Sequence, residues 1–187
     1  MATRGFMGWV SGGREVIAYN HWSSEPEGLG LDILAWLVNT DHAAARQRIT
    51  EVRVVDPEST PTAADIERLR EHTDTSIGDE VETDWYGLLR GTQGRPAATL
   101  AAGVVADASD FPFDVVSCEW GYIADFDAGV FEVYMGFQYE PHDKGRFASR
   151  PRPEDAEAYP AALFTSFPLS DLPTPDAFVL ACYPEEE

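Results

Sequence analysis

Lysine is nearly absent from this sequence of 187 residues, which contains twelve arginines but only one lysine, Lys144. Acidic residues outnumber basic ones by 33 to 13, giving a formal net charge of −20 at pH 7. Between Arg95 and Lys144 the chain has nine acidic residues and no basic one. Such a composition is repelled by nucleic-acid phosphates and anionic lipids, so we expect neither direct nucleic-acid binding nor a membrane partner.

Long apolar runs are also missing, and none approaches the roughly 20 residues that a membrane-spanning helix needs. The first residues, "MATRGFMGWVSGG", lack the charged start and long apolar stretch of a secretory leader. Only two cysteines occur, Cys118 and Cys182, with no Cys-x-x-Cys spacing for a zinc or redox site. We favour two buried thiols in a cytoplasmic protein over a disulfide between them.

Motifs of well-known active sites are absent as well. The sequence has no Gly-x-Ser-x-Gly elbow, no phosphate-binding P-loop, no dinucleotide glycine pattern and no His-x-x-x-His pair. We therefore predict no cofactor and no transition-metal site, and we leave open whether the protein is an enzyme.

Two pairs of strand-like segments dominate what is present. "RGFMGWV" and "REVIAYN" flank a Ser-Gly-Gly turn, the spacing of a β-hairpin. "EWGYIAD" and "VFEVYMGFQ" flank a second turn, and in the latter segment apolar residues alternate with Glu132 and Tyr134. This period of two predicts a strand with one buried face, with Tyr134 on the other face.

Helical patterns separate and follow the hairpins. In "LGLDILAWLV" one helix face is predicted to carry four apolar residues, Leu29, Ile33, Trp36 and Leu37, and Ser24 is a candidate N-terminal cap. Further helices are predicted within 41–49, 57–72, 85–103 and 171–183, and strands within 50–56 and 161–169.

The fold class predicted is α+β, with an antiparallel or mixed sheet built from two β-hairpins and with helices packed on one face. We expect residues 1–187 to form a single globular domain. Within it, 73–84 is an exposed acidic connection, 139–160 is a long proline-rich loop, and 184–187 is a frayed acidic tail.

Two blocks resemble a known family. "TRGFMGW" with "YNHWSSEPEGLG", and "EWGYIADFDAGVFEVYMGFQ" with "PHDKGRF", are similar to uncharacterised proteins of actinobacteria and their phages. Members typically read T-R-G-x-x-G-F, then Y-N-H-[FW]-x-S-x-P-x-G-L-G, with a later Y-[VI]-x-D-[LF]-D. This sequence has Ser23 where members carry an aspartate, and the resemblance implies no activity.

The segment after the first hairpin contains the first candidate site. His21 would act as an acid or base beside Asn20 and Arg4, and the following helix start would hold a small anion, as in a small hydrolase or transferase. The alternative, which we favour, is that Asn20 and His21 bond buried backbone groups and fix the turn.

Asp125 and Asp127 form the second candidate, at the bend of the central hairpin. Alternate carboxylates on one side of a strand can chelate a divalent cation. Aspartates at bends more often bond their own backbone, and the pattern lacks the remaining ligands of a calcium loop. We favour the turn interpretation, and Asp125 and Asp127 are weak metal candidates.

A basic cluster is the third candidate, and it comprises His142, Lys144, Arg146, Arg150 and Arg152. It would either bind a phosphate or an acidic partner, or pack across the protein's own acidic surface. We favour the second interpretation.

Together these patterns predict an acidic, cytoplasmic binding or accessory protein that acts on a protein partner. Its association with a phage or prophage is what the resemblance implies. One alternative is the hydrolase or transferase with a small-molecule ligand near Asn20. A second is a nucleic-acid mimic, whose carboxylates occupy a DNA-binding protein.

Overall fold

The computed structural model describes residues 3–73, 84–151 and 159–183. The strands are β1 (Gly5–Ser11), β2 (Arg14–Asn20), β3 (Arg53–Val55), β4 (Val104–Ala106), β5 (Trp120–Asp125), β6 (Val130–Met135) and β7 (Ala162–Pro168). The α-helices are α1 (Leu31–Asn39), α2 (His42–Glu51), α3 (Ala63–Leu69), α4 (Trp85–Leu88), α5 (Pro96–Ala102) and α6 (Pro175–Cys182). The predicted connection at 73–84, apart from its ends, and the predicted acidic tail lie outside the described residues.

The first hairpin forms as the sequence predicts. Gly12 and Gly13 form its two-residue turn with φ angles of 61° and 73°. Positive φ at both positions is the requirement of a tight hairpin turn whose twist matches its strands, and glycine adopts it without a steric penalty. Strand β1 therefore pairs with β2 along its whole length, from Gly5 with Asn20 to Ser11 with Arg14.

A five-stranded mixed sheet, in the order β2-β1-β5-β6-β7, forms the centre of the molecule. The two hairpins join through a parallel pairing of β1 with β5, which aligns Gly5 with Trp120 and Val10 with Asp125. The pairings of β5 with β6 and of β6 with β7 are antiparallel. This central sheet confirms the predicted α+β class.

Helices α1, α2, α5 and α6 cover one face of the central sheet. Of the four residues predicted as one helix face, Leu29, Ile33 and Leu37 are at most 3% exposed, and Trp36 is partly buried against the same cluster. They pack with inward residues of the strands, such as Trp9 and Phe131, in the largest apolar cluster. The predicted layer of helices on one face is thus confirmed.

The opposite face is covered by irregular chain, which the alternation in β6 did not predict. Tyr134 was expected on the solvent side but is 0% exposed, because the Phe147 ring packs on it at 4.8 Å. Phe147 belongs to the predicted loop, whose residues 139–151 have no helix or strand. Phe6 and Phe113 complete this second cluster, so both faces of the central sheet are buried.

A small parallel ribbon of β3 and β4 lies beside the β2 edge of the central sheet. Strand β4 was not predicted, since three residues after a helix carry too short a pattern. The ribbon packs with α3 and α4 through Leu69, Trp85 and Leu88 in a third apolar cluster.

The start of α1 differs from the prediction that Ser24 caps it. A π-helical turn over Pro26–Gly30 precedes α1, and its N-cap residue, Glu25, makes no side-chain capping bond. Ser24 is 0% exposed, and its Oγ accepts a hydrogen bond from Asn20 instead. Among the helices of the described residues, none has both the length and the apolar character needed to cross a lipid bilayer.

Candidate functional site

Asn20 holds the turn that follows the first hairpin. Its Nδ2 donates to the carbonyl oxygen of Trp22 at 2.6 Å and to Ser24 Oγ at 2.8 Å, and the residue is 3% exposed. Ser23, inside this turn, has a φ of 52°, which is uncommon for a residue with a Cβ. Both amide hydrogens of Asn20 are therefore used to fix the loop, which supports the structural interpretation.

His21 lies at the surface among aromatic and charged side chains. Its Nδ1 is hydrogen-bonded to the Tyr19 hydroxyl at 2.8 Å, and its backbone N–H donates to Gln93 Oε1 at 3.2 Å. Burial, and then the positive charges of Arg4 and Arg90, lower the pKa of His21 below its usual 6.5. Its imidazole is therefore neutral at pH 7.

Arg4 lies close enough to act on His21 electrostatically, but its guanidinium contacts a different residue. Its Nη1 donates to Ser117 Oγ at 3.3 Å. The structure thus brings Arg4, Asn20 and His21 into one region without gathering them around a common cavity.

Asp125 is a turn residue, as predicted. Its Oδ1 accepts from the backbone N–H groups of Asp127 at 3.0 Å and Ala128 at 2.8 Å, and its Oδ2 accepts from Arg146 Nη2 at 2.7 Å. Both carboxylate oxygens have protein donors, which is the arrangement of a bend and not of a metal ligand.

Asp127 connects the turns of the two hairpins. Its two carboxylate oxygens accept from the backbone N–H groups of Gly12 at 3.0 Å and Gly13 at 2.7 Å. The bonds from Gly13 and then Gly12, with a contribution from the Arg46 charge, lower the pKa of Asp127. Within the described ranges, no group of three or more His, Cys, Asp or Glu side chains is placed to hold a metal ion.

Arg146 of the basic cluster is surrounded by the protein's own carboxylates. Its guanidinium donates to Asp125 at 2.7 Å, to Glu132 at 2.8 Å and to Glu15 at 3.3 Å. Arg150 forms two further bonds to Glu15, both at 2.8 Å. Their donors are satisfied internally, which favours the predicted packing across the acidic surface over a phosphate site.

The other members of the basic cluster contribute less. His142 Nδ1 accepts from the backbone N–H of Lys144 at 3.2 Å, so its Nε2 carries the hydrogen that is donated to the Pro160 carbonyl oxygen at 2.8 Å. Lys144 is exposed, and Arg152 lies outside the described residues. The structure does not gather the four described members of the cluster into one anion site.

A cleft of about 960 Å³ opens between the β2 edge of the central sheet and the β3–β4 ribbon. We call it the acidic cleft, because six carboxylates line it and no described arginine or lysine does. These cleft carboxylates are Asp56, Glu58, Asp84, Asp107, Asp110 and Asp114. Apolar side chains, including Met7, Ala18, Leu89 and Val105, form its deeper wall.

Four cleft carboxylates are oriented by backbone bonds. Asp56 accepts from Glu58 N at 2.9 Å, Asp84 from Gly87 N at 2.7 Å, Asp107 from Ser109 N at 2.9 Å, and Asp114 from Val116 N at 3.0 Å. In the part of the chain that the structure describes, none of the six forms a salt bridge. Four of the six negative charges are therefore fixed in place, and within the described residues none of the six is directly paired with a cation.

Aromatic rings form one side of the acidic cleft. Tyr19 packs on Phe111, with ring centres 4.9 Å apart, and on Tyr86 at 6.4 Å. Burial is the main cause that raises the pKa of Tyr19, so its hydroxyl stays protonated at neutral pH. The Arg90 guanidinium lies 5.2 Å from the Tyr86 ring centre, so this wall already holds one cation against an aromatic face.

A second cavity, of about 320 Å³, adjoins the acidic cleft at Gln93, which lines both. Asn20 lines this second cavity together with Arg90, Arg95 and Asp32. It is the nearest feature to the pocket predicted beside the first hairpin, although neither Arg4 nor His21 lines it.

The two cysteines are free and buried, as predicted. Burial raises the pKa of the Cys118 thiol and raises that of Cys182 to about 12. A thiol that stays protonated is a poor nucleophile, so neither cysteine is suited to covalent catalysis.

The chain matches no protein-family model, no curated protein and no solved structure.

The acidic cleft is assembled from residues that the sequence did not single out. Asp107, Asp110 and Asp114 belong to the stretch without basic residues between Arg95 and Lys144. That stretch was the sequence feature that could have indicated an acidic site. Tyr86 and Glu58 come from distant segments, and only the packing of α4 and the β3–β4 ribbon brings them together.

Proposed function

We propose that this is a binding protein whose acidic cleft takes a positively charged ligand. The observation that carries the proposal is the set of six cleft carboxylates, which face a cavity without a neutralising base in its described lining. A cavity lined by one sign of charge raises the local concentration of ligands of the opposite sign.

The cleft wall suits a cation that also carries apolar groups. Tyr86 is 40% exposed, and its neighbours Tyr19 and Phe111 offer further aromatic surface. Cations on such faces gain about 0.5–1 kcal/mol at exposed sites. The volume of about 960 Å³ is at the upper end of the range for ligand pockets, enough for several side chains or one elongated molecule.

Calorimetric titration tests this proposal. The probes are spermine and a capped heptapeptide of alternating lysine and valine, in low and in moderate salt. The side chains of Glu58 and Asp110 make no described hydrogen bond, so Glu58→Gln with Asp110→Asn removes two cleft charges and keeps the backbone bonds of both residues. Two exposed charge contacts are worth together about 1 kcal/mol, so affinity should fall about five-fold.

The matched control is Glu140→Gln with Asp143→Asn, two exposed carboxylates that do not line the acidic cleft. It changes the net charge equally and should leave affinity nearly unchanged. An equal loss in both double variants would show that the probe follows total charge, and absence of binding by either probe at low salt would overturn the proposal.

A cytoplasmic, phage-associated setting is the part of this proposal that rests on the sequence resemblance, and the free thiols support it. The nucleic-acid mimic has less support, because the cleft carboxylates surround a concavity and do not run along a convex face.

A second candidate function, binding of a small anion, is favoured by one observation. Arg90 and Arg95 line the second cavity beside Asn20. The second cavity therefore takes the place of the pocket that was predicted near the first hairpin for a hydrolase or transferase. Arg90 and Arg95 supply the positive charge that was expected from Arg4. Phosphate binding that is lost in Arg95→Gln but kept in Arg48→Gln, an arginine on α2 that does not line this cavity, would support it.

A further inference from the structure

The loop that follows β2 is held rigidly around Trp22. The carbonyl oxygen of Trp22 accepts from Asn20 Nδ2 at 2.6 Å, and that of Ser23 accepts from Leu29 N at 2.8 Å. Ser23 itself has a φ of 52°. A residue with a Cβ keeps this conformation only where the surrounding structure enforces it, and such strained positions are concentrated at ligand sites.

The Trp22 side chain is exposed although its backbone is fixed. Trp22 is 55% exposed, whereas the other four tryptophans of the chain are buried or partly buried. The His21 imidazole contacts the indole with ring centres 4.5 Å apart and planes inclined at 69°, so it does not lie flat on the indole. Trp22 also lines the second cavity, where a firmly held indole is a platform on which a planar ring can stack.

A type II turn brings two arginines to the same cavity. Arg95 N donates to the Thr92 carbonyl oxygen at 3.0 Å. The central residues of this turn, Gln93 and Gly94, have φ angles of −58° and 69°. The second of these positions requires a positive φ, which glycine adopts without strain. The chain reverses here, so Arg90 before the turn and Arg95 after it both line the second cavity.

The lining of the second cavity has a net positive charge. Among the described residues it contains two arginines and one carboxylate, Asp32. Arg95 forms no salt bridge within the described part of the chain. Arginine is suited to bind phosphate through paired N–H donors. A molecule with one phosphate is therefore attracted locally, whereas a nucleic acid with many phosphates is repelled by the rest of a protein with a charge of −20.

Hydrogen-bonding groups accompany these charges. Gln93 Oε1 accepts from His21 N at 3.2 Å, which leaves the amide nitrogen of Gln93 as a donor in the cavity wall. The Asp32 carboxylate supplies acceptors in the same wall. A heteroaromatic base, with ring nitrogens and amino groups at its edge, can use both kinds of group, and a plain hydrocarbon ring cannot.

We propose that the second cavity binds a nucleoside monophosphate, with its base stacked on Trp22 and its phosphate held by Arg90 and Arg95. The proposal rests on the small-anion function proposed for this cavity, and it names the ligand class. The edge of the base faces Gln93 and Asp32. The volume of about 320 Å³ is at the lower end of the range for ligand pockets, which suits one nucleotide and not a longer chain.

Calorimetric titration with adenosine monophosphate (AMP), inorganic phosphate and adenosine tests the proposal. Stacking of one base on an aromatic ring strengthens binding by roughly five-fold or more, so AMP should bind at least that much more tightly than phosphate. AMP should also bind more tightly than adenosine, which has no phosphate. Because the base lies on the indole, AMP should quench the fluorescence of Trp22, and this quenching should disappear in Trp22→Phe.

Variants of Trp22 separate stacking from attraction of the anion. Trp22→Leu removes the ring but keeps the backbone bonds of the loop, so affinity for AMP should fall at least about five-fold while affinity for phosphate stays unchanged. Trp22→Phe keeps a ring and should retain most of the affinity for AMP. Tyr139→Leu is the matched control, because Tyr139 is 73% exposed and does not line this cavity, and it should bind AMP as the parent protein does. If Trp22→Leu does not fold, the comparison of AMP with phosphate in the parent protein still decides the question.

The outcomes separate this proposal from the small-anion function. If AMP binds no more tightly than phosphate, or Trp22→Leu binds AMP as tightly as the parent, the cavity is a simple anion site and the nucleotide proposal is wrong. The proposal is also wrong if adenosine binds as tightly as AMP, because the arginines then do not hold the phosphate. If neither phosphate nor AMP binds, the small-anion function fails as well. Tighter binding of AMP that is lost in Trp22→Leu and restored in Trp22→Phe supports both.

Discussion

Arg146 lies among the carboxylates of Asp125, Glu132 and Glu15, and all four side chains are at most 20% exposed. Replacing it by methionine would keep the volume but leave three acids close together without a counter-charge. Breaking a partly buried ion network in this way costs about 3 kcal/mol. We therefore expect Arg146→Met to lower the free energy of unfolding by that amount, measured by urea denaturation at pH 7.

Two further variants check the cause. Arg146→Lys keeps the charge but loses the planar donors that reach three acceptors, so it should also destabilise, by a smaller amount. Lys144→Met removes an exposed cation two residues away and should change the free energy of unfolding by less than about 0.5 kcal/mol. A loss in Arg146→Met no larger than that of Lys144→Met would contradict the network's role.

His21 makes pH a second test at the residue level. Because burial and the charges of Arg4 and Arg90 lower its pKa in the folded state, we expect its NMR titration midpoint to lie below 6.5. The unfolded chain binds the proton more tightly, so the stability contributed by neutral His21 is present above about pH 6.5 and is lost as the pH falls through the folded value.

Arg4→Gln should raise the titration midpoint of His21, because it removes one of the two repelling cations. Arg14→Gln makes the same charge change at a residue that contacts the Thr50 carbonyl oxygen, and it should leave the midpoint in place. An unchanged midpoint in Arg4→Gln would leave burial and the Arg90 charge as the causes of the shift.

Among the elements, α6 depends on one aromatic contact. Phe178 is 0% exposed, and its ring packs on Phe131 at 5.7 Å and on Phe167 at 5.6 Å. Truncation of such a ring leaves a cavity that the surrounding sheet cannot fill, at a cost of about 4 kcal/mol. Phe178→Ala should therefore strongly lower the denaturation midpoint.

Leu180 on the same helix provides the control, since it is 63% exposed. Leu180→Ala should change stability by less than about 0.5 kcal/mol. Similar losses in the two variants would mean that α6 is held by features other than the Phe178 contact.

The sequence predicted the elements whose signals are local. Gly12 and Gly13 mark the first turn, and the spacing of Leu29, Ile33 and Leu37 marks the buried face of α1 and of the turn that precedes it. It missed β4, a short strand stabilised by pairing with β3. It also placed Tyr134 on the solvent side, because nothing near β6 indicates that Phe147 covers that face.

For the whole molecule, the sequence predicted the α+β class but not how its parts meet. The parallel pairing of β1 with β5 has no local signal in the sequence. It depends on which strand edges are still unpaired after each hairpin has formed. The acidic cleft has the same origin. It forms only because the β2 edge and the β3–β4 ribbon lie side by side. The sequence therefore shows the individual aromatic and acidic residues but does not predict that they line one cleft.

The interior place of β1, between β2 and β5, affects how the protein is made. The first hairpin leaves the ribosome well before β5 does, so Gly5 has to wait for Trp120 before the second side of its strand is covered. During that interval of translation the nascent chain contains an apolar hairpin, β1 with β2, in which the edge of β1 that later pairs with β5 is unpaired. The hazard created by this topology is therefore misassembly before synthesis is complete, which a holding chaperone or rapid elongation would reduce.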